Sequence, residues 1–253
     1  MTLKRTPWAQ FDEFWRAVHK PGQHVTIIAP TGVGKTYLAR HLLRADDHVI
    51  AVGSKVRDTS LDKFTKVNGY KRIKTFDAIE EHLRLYRGAS QNRLLLWPDL
   101  VKACRDVPED EIIAKIKSII TPEINKLLGY VALKGLWTLY IDETQYMSTR
   151  RAGFGLEDSI GHLHTQARSN FSSIYTAFQR PAWVPHAIYS SASWAFLGKT
   201  SDNYDLKALK GFNGQDPRRI QHELNGLQSR NYEMLAIDCR GTSDQIYKII
   251  CNK

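Results

Sequence analysis

Eight residues near the amino terminus, 29 to 36, read Ala-Pro-Thr-Gly-Val-Gly-Lys-Thr and constrain the fold more than any other feature of the chain. The β-rich run 25–28 precedes them, and residues 37–43 have the composition of a helix. The two glycines can adopt backbone angles closed to other residues and leave room for a phosphate group. Strand, glycine loop and helix in this order predict a phosphate-binding loop of the Walker A pattern, with Ala29 where glycine is commoner.

This loop predicts a nucleotide site in which each residue type has a role. Backbone N–H groups of the loop and of the following helix would hold the phosphates. Lys35 would reach the β- and γ-phosphates, and the Thr36 hydroxyl would bind magnesium. The predicted cofactors are therefore ATP and Mg²⁺, and the predicted nucleotide-binding residues are Pro30, Thr31, Gly32, Val33, Gly34, Lys35, Thr36 and Tyr37.

Two acidic residues after a later apolar run supply the second half of the predicted site. The run Leu-Tyr-Ile at 139–141 leads directly into Asp142 and Glu143. Asp142 would hold magnesium together with Thr36, and Glu143 is placed to accept a proton from the attacking water. An Asp without the following Glu would suit a kinase or a GTPase better, so the pair favours ATP hydrolysis.

Apolar runs alternate with helical patterns along the chain, and this alternation predicts an α/β fold with a central, mainly parallel sheet flanked by helices. Between the P-loop and the run at 139–141 the pattern predicts two further strands, which suits the ATPase branch with an extra strand between the two nucleotide-binding strands. The predicted helices are 8–19, 37–43, 76–86 and 109–128, the last with a kink at Pro122. The predicted strands are 24–29, 49–52, 93–97, 135–141, 174–178 and 192–197, with 234–237 and 245–250 as a short C-terminal β-hairpin.

The length of 253 residues predicts one domain with elaborations. We divide it into a leading helix at 1–22, a P-loop ATPase core at 23–210, and a C-terminal extension with short strands at 211–253, which belongs to the same domain.

Net charge limits the kind of partner that the chain can bind, and cysteine content limits the cellular compartment in which it works. The 36 Lys plus Arg against 26 Asp plus Glu give a net charge of +10, which favours a polyanionic partner such as DNA. Cys104, Cys239 and Cys251 have no paired spacing, which argues against a disulfide framework or a zinc site and fits a reducing cytoplasm. No stretch approaches the roughly 18 consecutive apolar residues of a membrane span.

A third motif ends the strand at 174–178. There Gln179, Arg180 and Pro181 follow directly, and a polar Gln at the tip of an apolar strand beside a nucleotide can sense the γ-phosphate. The Asp-Glu pair, an arginine at 168, this Gln-Arg-Pro end and a later strand followed by 202–209 together resemble the FtsK–HerA superfamily of DNA-pumping ATPases. The resemblance covers roughly residues 23–210, and the chain departs from the family's Gly-Arg dipeptide in having Ala167.

The resemblance implies RecA-like (ASCE) subunits that form a ring of about five or six around DNA and donate an arginine to the neighbour's ATP. Arg168 stands at the family's arginine position, so the implied catalytic residues are Lys35, Glu143, Gln179 and Arg168. The competing arginines are Arg150, Arg151 and Arg180.

Compact motors of this kind resemble viral genome-packaging ATPases. That likeness implies movement of DNA, with the duplex favoured over a single strand, into a preformed capsid in the host cytoplasm. A capsid portal or vertex protein would then be the docking partner.

A ring around DNA needs basic side chains that face its channel. The favoured candidates for these DNA contacts are the basic residues of the segment 55–74 and the pair Arg150-Arg151. Arg218-Arg219 and Arg230 are less favoured candidates. Three aromatic residues are candidates for stacking on bases: Tyr70, Trp183 and Trp194, of which Trp183 is favoured.

Two alternatives remain open at the level of sequence. The first is an ATPase for phage assembly or extrusion, which would normally carry a membrane span. The second is a P-loop switch or small-molecule kinase that is not a motor. Glu143 and the long insert before Asp142 count against a kinase.

Overall fold

The structure is a computed structural model that describes residues 3–149, 153–200, 202–209, 216–241 and 245–251. None of the helices in these ranges is long and apolar enough to span a membrane. The described part of the chain forms one continuous ten-stranded sheet with helices on both faces.

The strands are β1 (Arg5–Pro7), β2 (Val25–Ile28), β3 (His48–Val52), β4 (Lys71–Ile73), β5 (Asn92–Leu96), β6 (Thr138–Ile141), β7 (Ser173–Phe178), β8 (Trp194–Gly198), β9 (Glu233–Asp238) and β10 (Ile246–Ile250). The helices are α1 (Trp8–Val18), α2 (Lys35–Leu42), α3 (Thr59–Asn68), α4 (Phe76–Leu85), α5 (Leu100–Ala103), α6 (Ile112–Lys134), α7 (Thr144–Ser148), α8 (Glu157–Gln166), α9 (His186–Ser190), α10 (Asn203–Leu209) and α11 (Pro217–Asn225).

The sheet order is β1-β10-β9-β8-β2-β7-β6-β3-β5-β4. Neighbouring strands are parallel except where β9 pairs with β8 and with β10. Strand β7 lies between β2, which leads into the P-loop, and β6, which leads into Asp142. The predicted α/β fold with a mainly parallel sheet and a C-terminal antiparallel pair is confirmed, and the interposed strand is β7.

Helices cover the sheet on both faces, and this explains why the central strands read as continuous apolar runs. Ile27 and Ile28 are successive residues of β2 and belong to different core layers, as the alternation of a strand requires. Helices α1, α2 and α3 pack on one face, where Trp15 is fully buried. Helices α6, α8 and α11 pack on the other face, where Leu127 and Leu163 are buried.

Residues 54–75 contain more structure than their polar composition suggested. They form α3 and the edge strand β4. The Asp58 side chain accepts hydrogen bonds from the backbone N–H groups of Ser60 and Leu61 and so caps α3. Only a narrow apolar stripe, with Leu61 and Phe64, faces the core, so the other positions of the helix carry the polar residues.

Three further differences concern element ends. The short strand β1 precedes α1 and pairs with β10, so the leading segment is joined to the far edge of the sheet. Helix α6 continues through Pro122 to Lys134, six residues beyond the predicted end. Strand β6 begins at Thr138 instead of residue 135, because Gly135 ends α6 and Leu136 has a left-handed backbone.

Candidate nucleotide-binding site

The P-loop joins β2 to α2 at the carboxyl edge of the sheet, and its two glycines carry the turn. Gly32 and Gly34 have φ angles of 83° and 100°, in the left-handed region that favours glycine. Gly34 is the N-cap of α2, so the free N–H groups of the first turn of that helix open onto the loop. Lys35 is 7% exposed, and its Nζ donates to the Pro30 carbonyl at 3.2 Å. The loop thus holds its lysine in place before a ligand binds.

Thr36 and Asp142 meet at the base of this loop. The Thr36 hydroxyl donates to Asp142 Oδ2 at 3.3 Å, although the two residues are 106 positions apart in the chain. Burial, and then the charge of Glu143, raises the pKa of Asp142. These oxygens are the donor type that Mg²⁺ prefers, and they are close enough to share one cation. A divalent cation there would also offset the burial of the Asp142 charge.

Glu143 follows Asp142 and is held in an unusual backbone conformation. Its φ and ψ are 51° and 45°, a left-handed geometry that a glutamate rarely adopts. Its carboxylate accepts from Gln179 Nε2 at 3.0 and 3.2 Å, from Lys55 Nζ at 3.3 Å and from Gln145 Nε2 at 3.2 Å. A carboxylate offers about four lone-pair sites, so these contacts nearly fill it.

Gln179 links the P-loop to Glu143. The Thr31 hydroxyl donates to Gln179 Oε1 at 2.8 Å, while Gln179 Nε2 donates to Glu143. The Gln145 side chain fixes the tip of β7, because its Oε1 accepts from the backbone N–H of Gln179 at 2.8 Å and of Arg180 at 3.1 Å. A ligand that displaces the Thr31 hydroxyl from Gln179 would therefore change the hydrogen bonds that Gln179 donates to Glu143.

Lys55 and Gln145 belong to this site although the sequence analysis did not place them there. Lys55 was a candidate for DNA contact, but its Nζ lies 3.3 Å from both Glu143 Oε1 and Asp58 Oδ2. Burial alone would lower the pKa of Lys55, but Glu143, Asp58 and Asp142 more than offset this and raise it. One feature of the sequence could have placed Lys55 at the site. Lys55 is three residues beyond the end of β3, and the carboxyl ends of parallel strands meet at one edge of the sheet.

A cavity of about 420 Å³ lies over the loop. Six of the eight predicted nucleotide-binding residues line it, together with the two acids, Gln179, three further cations and a serine of α3. The full lining is Thr31, Gly32, Gly34, Lys35, Thr36, Tyr37, Arg40, Lys55, Ser60, Lys63, Asp142, Glu143 and Gln179. Of the other two predicted residues, Val33 is buried in the core below the loop, and Pro30 contributes its carbonyl to Lys35. Burial also lowers the pKa of Lys35, which Glu143 and Asp142 oppose.

Arg168 lies far from this cavity within its own chain. It is exposed in a 3-10 turn, Ala167–Asn170, that leads into the start of β7, whereas Gln179 follows the end of β7. The six residues of β7 separate the two ends by roughly 20 Å at about 3.3 Å per residue. Arg168 can therefore act on a nucleotide only if that nucleotide is bound by another subunit.

Arg180, a competing candidate, is held within its own chain. Its guanidinium lies 2.7 Å from Asp202 Oδ2 and 2.9 Å from Asp205 Oδ2, and it stacks over Trp183 at 5.1 Å. The other two competitors, Arg150 and Arg151, lie outside the described residues.

The candidate DNA contacts divide by exposure. Tyr70 and Trp194 are buried in the core at 4% and 0% exposure, so these two candidates are not placed to stack on bases. Trp183 is 60% exposed and stays a candidate. In the segment 55–74, Lys55 and Lys63 line the nucleotide cavity. The basic residues left on the surface of that segment are Arg57, Lys66, Lys71, Arg72 and Lys74.

The sequence matches no protein-family model and no curated protein sequence. The fold, in contrast, matches solved structures over nearly its whole length. The genome packaging NTPase B204 from Sulfolobus turreted icosahedral virus 2, in complex with AMP, superposes with a TM-score of 0.56 and 16% identity and covers 91% of this chain and 99% of that one. A second structure of B204, the DNA-packaging ATPase from Sulfolobus turreted icosahedral virus, superposes with a TM-score of 0.54 and 17% identity. The match covers 92% of this chain and 100% of that one.

VirB4 of Thermoanaerobacter pseudethanolicus gives a TM-score of 0.53 and 12% identity over 91% of this chain and 89% of that one. Identities this low establish likeness of fold. The superpositions confirm the predicted RecA-like P-loop architecture and a resemblance in fold to the viral genome-packaging NTPase B204.

Proposed function

We propose that this chain binds ATP with Mg²⁺ and hydrolyses it to move DNA. The observation that carries the proposal is the meeting of Lys35, the Thr36–Asp142 pair and the Glu143–Gln179 pair around one cavity at the carboxyl edge of the sheet. Phosphate-binding loop, magnesium oxygens and a base beside a γ-phosphate sensor are the parts that phosphoryl transfer to water requires.

The residues divide the work as follows. The loop N–H groups and Lys35 bind the phosphates, and Thr36 and Asp142 would hold Mg²⁺, which would neutralise charge on the phosphates. Glu143 accepts a proton as water attacks the γ-phosphorus and the bond to the β-phosphate oxygen breaks, giving ADP and inorganic phosphate.

Because its carboxylate is nearly filled by hydrogen-bond donors, Glu143 must lose one of these hydrogen bonds before it can accept one from the attacking water. Thr31 and Gln179 offer a route for that exchange, because a phosphate that takes the Thr31 hydroxyl changes the partners of Gln179. Binding and activation would then be coupled.

The motor would be a homo-oligomeric ring of about five or six copies, with Arg168 of each copy reaching the nucleotide of the next. Its exposed position at the amino edge supports a role in trans. We also propose a cytoplasmic protein that packages viral double-stranded DNA and docks on a portal or vertex protein of the capsid. The likeness to B204 supports this role, and the net charge of +10 supports a DNA partner.

The proposal is tested by ATP turnover with and without duplex DNA, on the wild-type chain and on Glu143→Gln. We expect DNA to stimulate wild-type turnover, and Glu143→Gln to bind ATP but not hydrolyse it. A turnover rate indifferent both to DNA and to this substitution would contradict the motor. Turnover stimulated only by a small-molecule phosphate acceptor would indicate a kinase.

A further inference from the structure

One polar atom buried beside the nucleotide cavity lacks a hydrogen-bond partner among the described residues. It is the hydroxyl oxygen of Tyr140, a fully buried residue of β6. Burying a hydroxyl without a partner costs free energy, and phenylalanine would fill the same space without that cost. Packing alone therefore does not explain why this position carries a tyrosine.

The hydroxyl points toward the two residues that would hold magnesium. Tyr140 is two residues before Asp142, and alternate residues along a strand face the same side of the sheet. Its ring stacks on Phe64 of α3, with the ring centroids 5.6 Å apart and 14° between the ring planes, so packing fixes its position. Thr36 and Asp142 are the side chains close enough to act on the hydroxyl as hydrogen-bond partners, although neither is bonded to it.

The Asp142 carboxylate has room for a further hydrogen bond. Its Oδ1 accepts from the Glu143 N–H at 3.0 Å, and its Oδ2 accepts from the Thr36 hydroxyl at 3.3 Å. The second distance is longer than the roughly 2.5–3.0 Å usual between a hydroxyl donor and an oxygen acceptor, so that bond is weak. A carboxylate offers about four lone-pair sites, so Asp142 can accept both a cation and one more donor.

A second tyrosine, on the neighbouring strand, provides an internal comparison. Tyr175 of β7 is the register partner of Tyr140 and is also fully buried. Its hydroxyl donates to Asp46 Oδ2 at 3.0 Å and contacts His19 Nε2 at 3.1 Å. Of these two tyrosines, Tyr175 thus has a satisfied hydroxyl, whereas Tyr140 has none within the described part of the chain.

We propose that Tyr140 is a positioning residue of the magnesium site, whose hydroxyl donates to Asp142 Oδ2 when Thr36 and Asp142 hold a divalent cation. This hydrogen bond would fix the orientation of the Asp142 carboxylate and would offset part of the cost of burying its charge. It would also give the Tyr140 hydroxyl the partner that it lacks among the described residues of the free chain. The inference rests on the proposed function, because it concerns the same magnesium oxygens.

The test compares Tyr140→Phe with Tyr175→Phe, because each substitution removes only a buried hydroxyl. Isothermal titration calorimetry measures the affinity for a non-hydrolysable ATP analogue, once with Mg²⁺ and once with EDTA. For Tyr140→Phe we expect affinity with Mg²⁺ to fall about tenfold, as for the loss of one hydrogen bond to a charged group, and affinity with EDTA to stay unchanged. Tyr175→Phe should leave both affinities unchanged, because its hydroxyl bonds to Asp46 instead.

Thermal unfolding without nucleotide or Mg²⁺ separates positioning from a structural role. Tyr140→Phe should have an equal or higher melting temperature than the wild type, because it loses no hydrogen bond in the free chain. Tyr175→Phe should melt several degrees lower, because the buried Asp46 loses a donor. If Tyr140→Phe melts as low as Tyr175→Phe, or does not fold, the hydroxyl is bonded in the free chain and the inference is wrong.

Wild-type protein distinguishes the failure of this inference from that of the proposed function. If the wild type binds the analogue more tightly with Mg²⁺ and Tyr140→Phe keeps that full preference, the inference is wrong and the magnesium site stands. If both variants lose the preference equally, the substitutions act through packing and the inference is also wrong. A wild type that binds the analogue equally with Mg²⁺ and with EDTA overturns the proposed magnesium site itself, and this inference with it.

Discussion

The two edges of the sheet are built in opposite ways. At the carboxyl edge, polar groups satisfy one another: Lys55, Gln145 and Gln179 all donate to Glu143. At the amino edge, Arg168 is exposed to solvent together with the apolar side chains of Leu136 and Phe171. We infer that the first edge binds a nucleotide within one chain and that the second contacts another copy. Left-handed backbones occur at both edges, at Glu143 and at Phe171, and strain of this kind is most frequent at functional sites.

Removing the base at the carboxyl edge should have the largest effect. Glu143→Gln keeps the size of the side chain and its contact with Lys55 but cannot accept a proton. We expect turnover to fall about 10⁴-fold, at the upper end of general-base effects, with ATP affinity within about threefold of wild type. Single-turnover hydrolysis and equilibrium binding of a fluorescent ATP analogue measure the two separately. Lost binding would mean that Glu143 acts on nucleotide affinity instead.

Removing the arginine at the amino edge should have the next largest effect. Arg168→Ala leaves the P-loop of its own chain untouched, so we expect unchanged ATP binding and turnover reduced about 10³-fold, as for other trans-acting arginines. Arg180→Ala is the informative comparison, because Arg180 is bound to Asp202 and Asp205 in its own chain. If Arg180→Ala lost turnover without loss of stability and Arg168→Ala kept it, the assignment would be reversed.

A smaller effect is expected at Lys55, which the structure adds to the carboxyl edge. Lys55→Ala removes a cation that lines the nucleotide cavity beside Lys35. Loss of one charged contact of about 1.5 kcal/mol should lower turnover about tenfold and weaken ATP analogues more than ADP. Lys126→Ala, which breaks an exposed pair with Asp77, should change neither. A rise in turnover for Lys55→Ala would instead show that Lys55 restrains Glu143.

The last effect is on stability, not turnover, and it concerns the amino edge, where His24 is buried next to the start of β2. Burial lowers the pKa of His24 from 6.5 to about 4, and the charge of Arg168 adds to this. The unfolded chain then binds the proton more readily, so stability is full above pH 6.5 and is lost as the pH falls towards 4. Over that window the loss is about 3 kcal/mol.

Urea unfolding between pH 7.5 and pH 4.5 measures this dependence. His24→Gln should make the fall in unfolding free energy shallower over the same window. His164, packed against His24, also has a lowered pKa through burial and keeps part of the slope. Equal slopes for the variant and wild type would mean that His24 is not the group that titrates.

Much of the carboxyl edge could be predicted from the sequence, for a physical reason. The P-loop, Asp142 and Gln179 each follow an apolar run directly, and parallel strands bring their carboxyl ends to one edge whatever lies between them. Lys55 and Gln145 follow strands at a distance of a few residues, where the path of the loop decides the side chain's position. That path depends on contacts such as the Asp58 cap of α3, which sequence periodicity does not report.

The amino edge was less predictable. The motif identified Arg168, but exposed apolar residues such as Leu136 and Phe171 look like core residues in a sequence. Their left-handed backbones arise from how α6 ends and how the turn before β7 packs on it, through contacts such as Leu136 N–H to Asn170. Tyr70 and Trp194 show the same ambiguity in reverse, because these aromatic candidates for base stacking are buried in the core.

Mixing two inactive variants tests most directly whether the two edges form one site between copies. The Glu143→Gln variant lacks the proton acceptor at the carboxyl edge but keeps Arg168 at the amino edge. The Arg168→Ala variant lacks the arginine but keeps Glu143. In mixed oligomers, Arg168 of the first would complete the nucleotide site of the second. We predict that equal amounts of the two, mixed with duplex DNA, recover ATP turnover well above that of either variant alone. Turnover that remains at the level of the separate variants, in oligomers shown to contain both chains, would contradict a site shared between copies.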